Sequence, residues 1–371
     1  MKIAIVHDWL NGMRGGELLL EELINIFPAA DIYTLFYRPE RISLEINLRP
    51  IYTSLLQKIP PTKQYYRYFL PFFPFAIERM DLADYNLIFS ISHCVAKGVK
   101  KRPNQIHICY CNSPMRYLYD QFDVYFRNSQ GKLKLTGVVL NLIRDKLKKW
   151  DFKSSKKERV DLFIANSRNI ADKIKKYWNR DSEIIYPFVD VNLFAPQKEQ
   201  GRNNFPAKYF LIVSALVPYK RIDIAIQAFN MLKERLIIVG EGTERGRLEK
   251  MANSNIEFGG WVSDESLREL YQGCQALIFP GEEDFGIVPL EAMACGKPVI
   301  AFRKGGALET VIDGVTGRFF NDPHPESLAE TVKCFHPEDF NFLDLRRRAE
   351  EFSRDVFHKS LVNILKKYFP L

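Results

Sequence analysis

Four carboxylates crowd one short stretch of this chain. The segment "GEEDFGIVPLEAMACGKPVIA" spans Gly281–Ala301; it opens with Glu282, Glu283 and Asp284, then runs almost wholly apolar around Glu291. Placed after the apolar run "ALIFPG" (276–281), it reads as a strand-to-helix turn whose first helical amides favour anions. Gly286 permits close backbone approach, and Pro289 suits the first helical turn. The amides around Ile287 and Val288 are then placed to cradle a phosphate, with Asp284 and Phe285 in the same turn. Carboxylates do not bind phosphate, so Glu283 at the lip and Glu291 in the first turn must meet another part of the ligand. Sugar hydroxyls fit, because paired acceptor oxygens match vicinal diols. A second reading stands beside this one: an acid in a first turn stabilises its helix by ~0.3–1 kcal/mol through the dipole alone.

Such a turn needs a sheet to hold it. Short apolar runs at 3–6, 32–36, 87–92, 106–111, 162–167 and 184–187 read as buried parallel strands, and a second series follows at 209–216, 235–242, 276–281 and 298–302. Amphipathic helices such as 221–232, 264–272 and 289–294 lie between them. Alternation of this kind implies right-handed βαβ units and doubly wound parallel sheets. Two series imply two Rossmann-like domains, joined near the proline-bearing stretch 186–209 and facing each other across a ligand-binding cleft.

The bulk numbers agree. A chain of 371 residues exceeds one typical domain, and a formal charge of +8 favours anionic partners. The six cysteines (94, 109, 111, 274, 295, 334) include no C-x-x-C pair and sit mostly in apolar runs, as reduced core thiols do. "MKIAIVHDWL" lacks the long apolar segment of a signal peptide, and no run approaches a membrane span. A cytoplasmic protein is expected.

The pair Glu283-x7-Glu291 within "EEDFGIVPLEAMACGKPVIA" closely resembles the signature of the retaining glycosyltransferases of family 4, which have the GT-B fold. Six further segments occur in the order such enzymes show: "HDWLNGMRGGE" (7–17), "YCNSPMRYLYD" (110–120), "IANSRNIADKI" (164–174), "ALVPYKRID" (215–223), "IVGEG" (238–242) and "GGALETVIDGVTG" (305–317). The "HDW…RGGE" and "SPMRY" segments look most like the mannosyltransferases of bacterial O-antigen and exopolysaccharide assembly. The resemblance implies an acceptor-side domain over 1–187 and a nucleotide-sugar domain over 188–352, with a C-terminal helix at about 353–371 packing back on the first.

It also implies roles. Glu283 contacts donor-sugar hydroxyls and orients the sugar without acting as nucleophile; Glu291 takes the ribose diol. Lys220 neutralises the diphosphate leaving group and Arg221 adds a second cation. Gly15 and Gly16 bring backbone amides against phosphate and acceptor, and Gly240 and Val262 complete the nucleotide-sugar set. Two departures matter. Related enzymes commonly carry an Arg where this chain has Ala215, and often a His that touches the donor sugar where this chain has Asn112. His93, at the end of "LIFSIS", reads equally as a cleft residue or as a cap. No Asp-x-Asp triplet occurs, so no metal or other cofactor is expected and the diphosphate charge falls to Lys220, Arg221 and helix dipoles.

The partners implied are a nucleotide-sugar donor, most closely GDP-mannose, and a glycan acceptor, lipid-linked in such pathways. Two surfaces bear on a membrane. The stretch 65–80 packs aromatics such as Tyr65, Tyr66, Phe72 and Phe73 among prolines, and reads as a core excursion or a membrane-facing surface. Segment 132–159 carries ten Lys/Arg against three Asp/Glu at near-helical spacing, and reads as a solvated helix or an anionic-membrane patch at the inner face of the cell membrane. Rival readings are a catalytically silent nucleotide-sugar-binding subunit, which the lost Arg and His suit, and a GT-B-type epimerase, which would carry more acid/base residues than six His and Asn112 supply. Nucleic acid is not an expected partner, since the basic region lacks a stacking platform.

Overall fold

The computed structural model describes residues 1–13, 15–59, 66–123, 135–196 and 209–368. Two compact units divide the chain, Met1–Ile185 and Tyr186–Leu371.

In the first unit seven strands form one parallel sheet: β1 (Ile3–His7), β2 (Asp31–Thr34), β3 (Ile51–Thr53), β4 (Leu87–Ser92), β5 (Ile106–Cys111), β6 (Leu162–Ala165) and β7 (Glu183–Ile184). Their order is β3-β2-β1-β4-β5-β6-β7. β1 and β4 are buried at every residue, as expected of central strands covered on both faces. They pair in register from Ile3↔Leu87 to His7↔Ile91.

The second unit repeats the plan with β8 (Phe210–Val213), β9 (Leu236–Val239), β10 (Ile256–Gly260), β11 (Leu277–Phe279), β12 (Val299–Phe302) and β13 (Gly317–Phe320), in the order β10-β9-β8-β11-β12-β13. Every pairing in both sheets is parallel, so the doubly wound α/β class expected from the sequence is the class observed.

In each sheet the strand order reverses at one place, between β1 and β4 and between β8 and β11. Connections there leave toward opposite sides, opening a gap at the carboxyl ends of the strands where ligands of such sheets bind.

The helices that matter below are α1 (Gly15–Ile26), α2 (Leu135–Ser154), α3 (Arg168–Trp178), α4 (Ile222–Leu232), α5 (Asp264–Gly273), α6 (Val288–Ala294) and α7 (Arg354–Tyr368). α7 belongs to the second unit, where Phe357 meets Phe188 at 5.2 Å between ring centroids. A buried ion pair fastens three elements of the first unit. Lys97, in the turn after β4, pairs with Asp151 of α2 at 3.0 Å and donates to Ser154 Oγ at 2.7 Å. Asp151 in turn accepts from Trp178 Nε1 of α3 (2.6 Å) and from the Tyr119 hydroxyl (2.8 Å).

Five cysteines are buried and Cys334 is exposed, all as thiols. Among the described residues no helix is long and apolar enough to cross a membrane.

The stretch 65–80, read as a core excursion or a membrane-facing surface, divides between the two. Tyr65 and the side chain of Tyr66 lie outside the described residues, and Phe72 is 57% exposed. Phe73, grouped with them as an anchor, is instead buried against Trp9 and Phe36, because it starts the short helix Phe73–Ile77 on the face that covers the sheet. Phe75, two residues on, is the ring that points outward. Of the basic segment, residues 132–134 lie outside the described residues; Lys146, Lys149 and Lys153 of α2 are exposed and Lys148 partly so.

Candidate active site

The acid-rich turn sits where the second sheet reverses. β11 ends at Phe279, and the chain turns through Gly281–Ile287 into α6, with Pro289 in its first turn and Ile287 as its cap residue. Gly286 takes φ +87°, a left-handed value that a side chain would strain, and an added Cβ would lie 2.8 Å from the Phe279 ring. By position, the first amides of α6 have no acceptor within the helix.

Across the gap, β8 runs on to the short turn Pro218–Lys220, and Arg221 caps α4 with φ 51°. Gly281 passes so close to Lys220 that a Cβ there would lie 2.8 Å from the Lys220 carbonyl oxygen. This contact sets Lys220 beside the acids. Its ammonium forms an ion pair with Glu283, the two side chains being 14% and 17% exposed. The main chain of Glu283 is held as well, its carbonyl accepting from Gly306 N at 2.8 Å. Glu283 and Lys220, sixty-three positions apart in sequence, thus meet in a sheltered place.

Arg221 does not join them. Its guanidinium turns to Asp223, with Nε 3.3 Å from Oδ1. Asp284 is buried, and Phe285 packs its ring between Tyr186 (5.5 Å) and Phe352 (5.7 Å), leaving its backbone to the turn. Gly240 follows β9 and donates its amide to Gly260 O at 2.7 Å; Val262, just past β10, is partly buried against the core.

Glu291 lies one turn into α6 and accepts from the buried Tyr271 hydroxyl at 2.7 Å. Burial pushes its carboxyl up to about 7, with the hydrogen bond from Tyr271 opposing the rise and the charge of Asp264 adding to it. Its deprotonation is thus penalised in the free protein, and a pair of hydroxyl donors is what would favour the ionised form. Tyr271 escaped the sequence reading. α5 offers only "LREL YQG" as a signal, and a tyrosine at helical spacing looks like core.

The first unit gathers its own polar groups where β1 and β4 part. Asp8, fully buried, accepts four backbone amides: His93 (2.6 Å) and Cys94 (2.8 Å) on Oδ2, Val95 (2.6 Å) and Ala96 (2.7 Å) on Oδ1. His93 therefore sits at the head of an Asp-capped turn. Its Nδ1 is 3.2 Å from Asp8 Oδ2 and its ring lies edge-on to Trp9, centroids 4.4 Å apart. Gly15 and Gly16 open α1, and Asn112 follows β5 with its amide donated to Ser92 O at 2.8 Å. Arg14 lies outside the described residues. Ala215 is exposed after β8, and brings no charge to the turn. Among the described residues no cluster of three metal-ligating side chains occurs.

Known proteins share this architecture and parts of this sequence. The chain is 30% identical over 221 residues to the uncharacterized glycosyltransferase MJ1178 of Methanocaldococcus jannaschii, a match covering 57% of this chain and 60% of that protein. It is 29% identical over 246 residues to the human alpha-1,3/1,6-mannosyltransferase ALG2, covering 56% of this chain and 59% of ALG2. The chain thus spans no more than 60% of the length of either relative. The crystal structure of Anabaena Alr3699/HepE in complex with UDP and glucose superposes with a TM-score of 0.70 at 18% identity, over 99% of both chains, which shows a common fold. The fold is that of the two-domain GT-B glycosyltransferases, and residues 195–355, which hold Lys220, Glu283 and Glu291, match the family Glycosyl transferases group 1.

Proposed function

We propose that this chain transfers a hexosyl group, mannose from GDP-mannose, to a lipid-linked glycan of a surface polysaccharide, keeping the anomeric configuration and using no divalent metal. The observation that carries the reading is the sheltered Lys220–Glu283 pair at the point where the second sheet reverses, with Glu291 on the helix that follows. A mannosyltransferase relative and a structural neighbour holding UDP and glucose support the donor class.

On this reading the incoming diphosphate draws the Lys220 ammonium from Glu283, and the freed carboxylate accepts hydroxyls of the donor sugar. Glu291 accepts both ribose hydroxyls. The bond from the anomeric carbon to the diphosphate oxygen breaks while an acceptor hydroxyl oxygen bonds to that carbon on the same face. The acceptor's proton passes to a leaving phosphate oxygen, and the departing charge is held by Lys220 and the helix amides. The Arg221 guanidinium must first leave Asp223 to take part.

The exposed Phe72 and Phe75 rings and the exposed lysines of α2 suit an anionic membrane surface, where each basic residue is worth about 1 kcal/mol at low salt. Incubating the full chain with labelled GDP-mannose and lipid-linked glycan in anionic liposomes tests both statements. Label is expected in the lipid fraction with α configuration, and Lys146, Lys148, Lys149 and Lys153 changed to Glu should abolish co-sedimentation. Transfer from no nucleotide sugar would remove the enzymatic reading. Co-sedimentation unchanged in the quadruple variant would make α2 a solvated face.

A further inference from the structure

His7 is the last residue of β1, 1% exposed, at the point where the first sheet reverses. Its Nδ1 lies 2.9 Å from the Trp9 carbonyl oxygen. A carbonyl only accepts, so Nδ1 carries the hydrogen and the neutral ring presents a bare lone pair at Nε2. Burial favours that neutral form, lowering the ring to about 4. Yet Nε2 is buried with no hydrogen-bond partner among the described residues. An acceptor left in that state is destabilising, so buried groups of this kind call for an explanation.

The explanation lies in what Nε2 faces. A Cβ built on Gly16 would lie 3.1 Å from His7 Nε2 and 3.5 Å from Asn112 Nδ2. Gly16, at the start of α1, therefore keeps open a small space with the imidazole acceptor on one side and a carboxamide on the other. An acceptor opposite an amide donor matches a hydroxyl, of an alcohol or of water, which donates to the first and accepts from the second. A carboxylate or phosphate oxygen would meet the Nε2 lone pair with its own and be repelled.

We propose that His7 Nε2 and the Asn112 carboxamide form a hydroxyl-binding subsite of the first unit that takes one hydroxyl of a sugar substrate. Naming the alcohol a sugar rests on the proposed glycosyl transfer; the pairing of acceptor and donor does not. His7 orders the substrate here by accepting its hydrogen, while Trp9 holds the ring in the tautomer that allows this.

The test is nitrogen NMR on the full chain labelled with ¹⁵N-histidine, using His7→Gln to assign the His7 signals. Methyl α-mannoside, methyl α-glucoside and methyl α-galactoside are titrated in the presence of GDP, with GDP alone as the reference. At least one glycoside should move the His7 Nε2 signal in the direction of an accepted hydrogen bond, and GDP alone should not. Gly16→Ala, which puts a methyl into the space and favours the helix, should remove the response while leaving the Nδ1–H tautomer in place. For the responding glycoside His7→Leu should weaken affinity about five- to tenfold, and His7→Gln, which keeps an acceptor, by about threefold at most. The subsite is overturned if no glycoside moves Nε2, if GDP alone moves it equally, or if Leu and Gln weaken binding alike. A thermal shift with GDP-mannose reports separately on the second unit. Its failure would undo the donor reading and leave the His7 response to stand or fall by itself.

Discussion

Lys220→Ala is expected to lower kcat about 100- to 1,000-fold with little change in the melting temperature. Removing one preorganised group that meets developing negative charge in a sheltered site typically has this size. Structurally the cost is small, because the ammonium's contacts among the described residues are with Glu283 and the face of the Tyr219 ring, and both members of the ion pair keep some exposure, 14% and 17%. Glu283 is left without its cation but within reach of water. Turnover of wild type in excess EDTA should equal turnover with magnesium, since on the proposed reading the Lys220 ammonium offsets the diphosphate charge that a metal would otherwise neutralise. A loss in EDTA that only added metal restores, together with a mild Lys220→Ala phenotype, would contradict the assignment.

Lys97→Met should be the most destabilising single change in the first unit, at about 3–5 kcal/mol. The reason is Asp151 rather than the lysine itself. Both side chains are essentially without solvent contact, and Asp151 is held by Trp178 and Tyr119, so it cannot turn outward when its cation goes. Asp151→Asn should be milder when made in the Lys97→Met background than in wild type, because two neutral groups replace a bare charge. Urea midpoints followed by tryptophan fluorescence give the double-mutant cycle, with Trp150 and Trp178 beside the pair as reporters. Additive effects would show that the pair contributes nothing as a unit.

The sequence made some of this legible and hid the rest for physical reasons. Central strands such as β1, β4 and β5 are covered on both faces and read as continuous apolar runs, so their existence and order could be seen. β3, β10 and β13 could not. All three are edge strands: β3 has no buried residue, β10 and β13 mix buried with exposed ones, and "IEFGG" and "GRFF" carry glycine where a strand pattern would want bulk. β7 shrank from "IIYP" to Glu183–Ile184 because the chain leaves the sheet where the two units divide.

At the site, glycine, proline and acid spacing marked the turn before α6 correctly, since those residue types act through the local backbone. What spacing could not give was partnership. Lys220 with Glu283, Tyr271 with Glu291, and Asp8 with four amides are contacts between distant segments, set by where the sheets reverse. His93 had two open readings, and the structure supplies a capped turn with the ring beside Trp9. "HDW" was visible as a motif, but that His7 ends with a nitrogen facing Gly16 and unpartnered among the described residues depends on the fold. Phe73 had two open readings as well, core excursion or membrane-facing surface, and its helix turned it into the core.

The central claim is that the second unit grips a nucleotide sugar through Glu291, and calorimetry of GDP-mannose binding to wild type and Glu291→Gln tests it most directly. The glutamine keeps the shape and loses charge-assisted bonds worth roughly 1.5–3 kcal/mol, so affinity should fall at least tenfold. The pH dependence adds a second signature. With the carboxyl raised to about 7 by burial, ionising it is unfavourable in the folded chain, so its contribution to stability declines as pH rises from the ordinary carboxylate range to about 7. A ribose diol donates to the ionised form, so wild-type binding should release protons below pH 7 and strengthen as pH rises toward 7, levelling off above it. Glu291→Gln should show neither the proton release nor the strengthening. Equal affinity in the two proteins, with the same pH profile, would contradict the account.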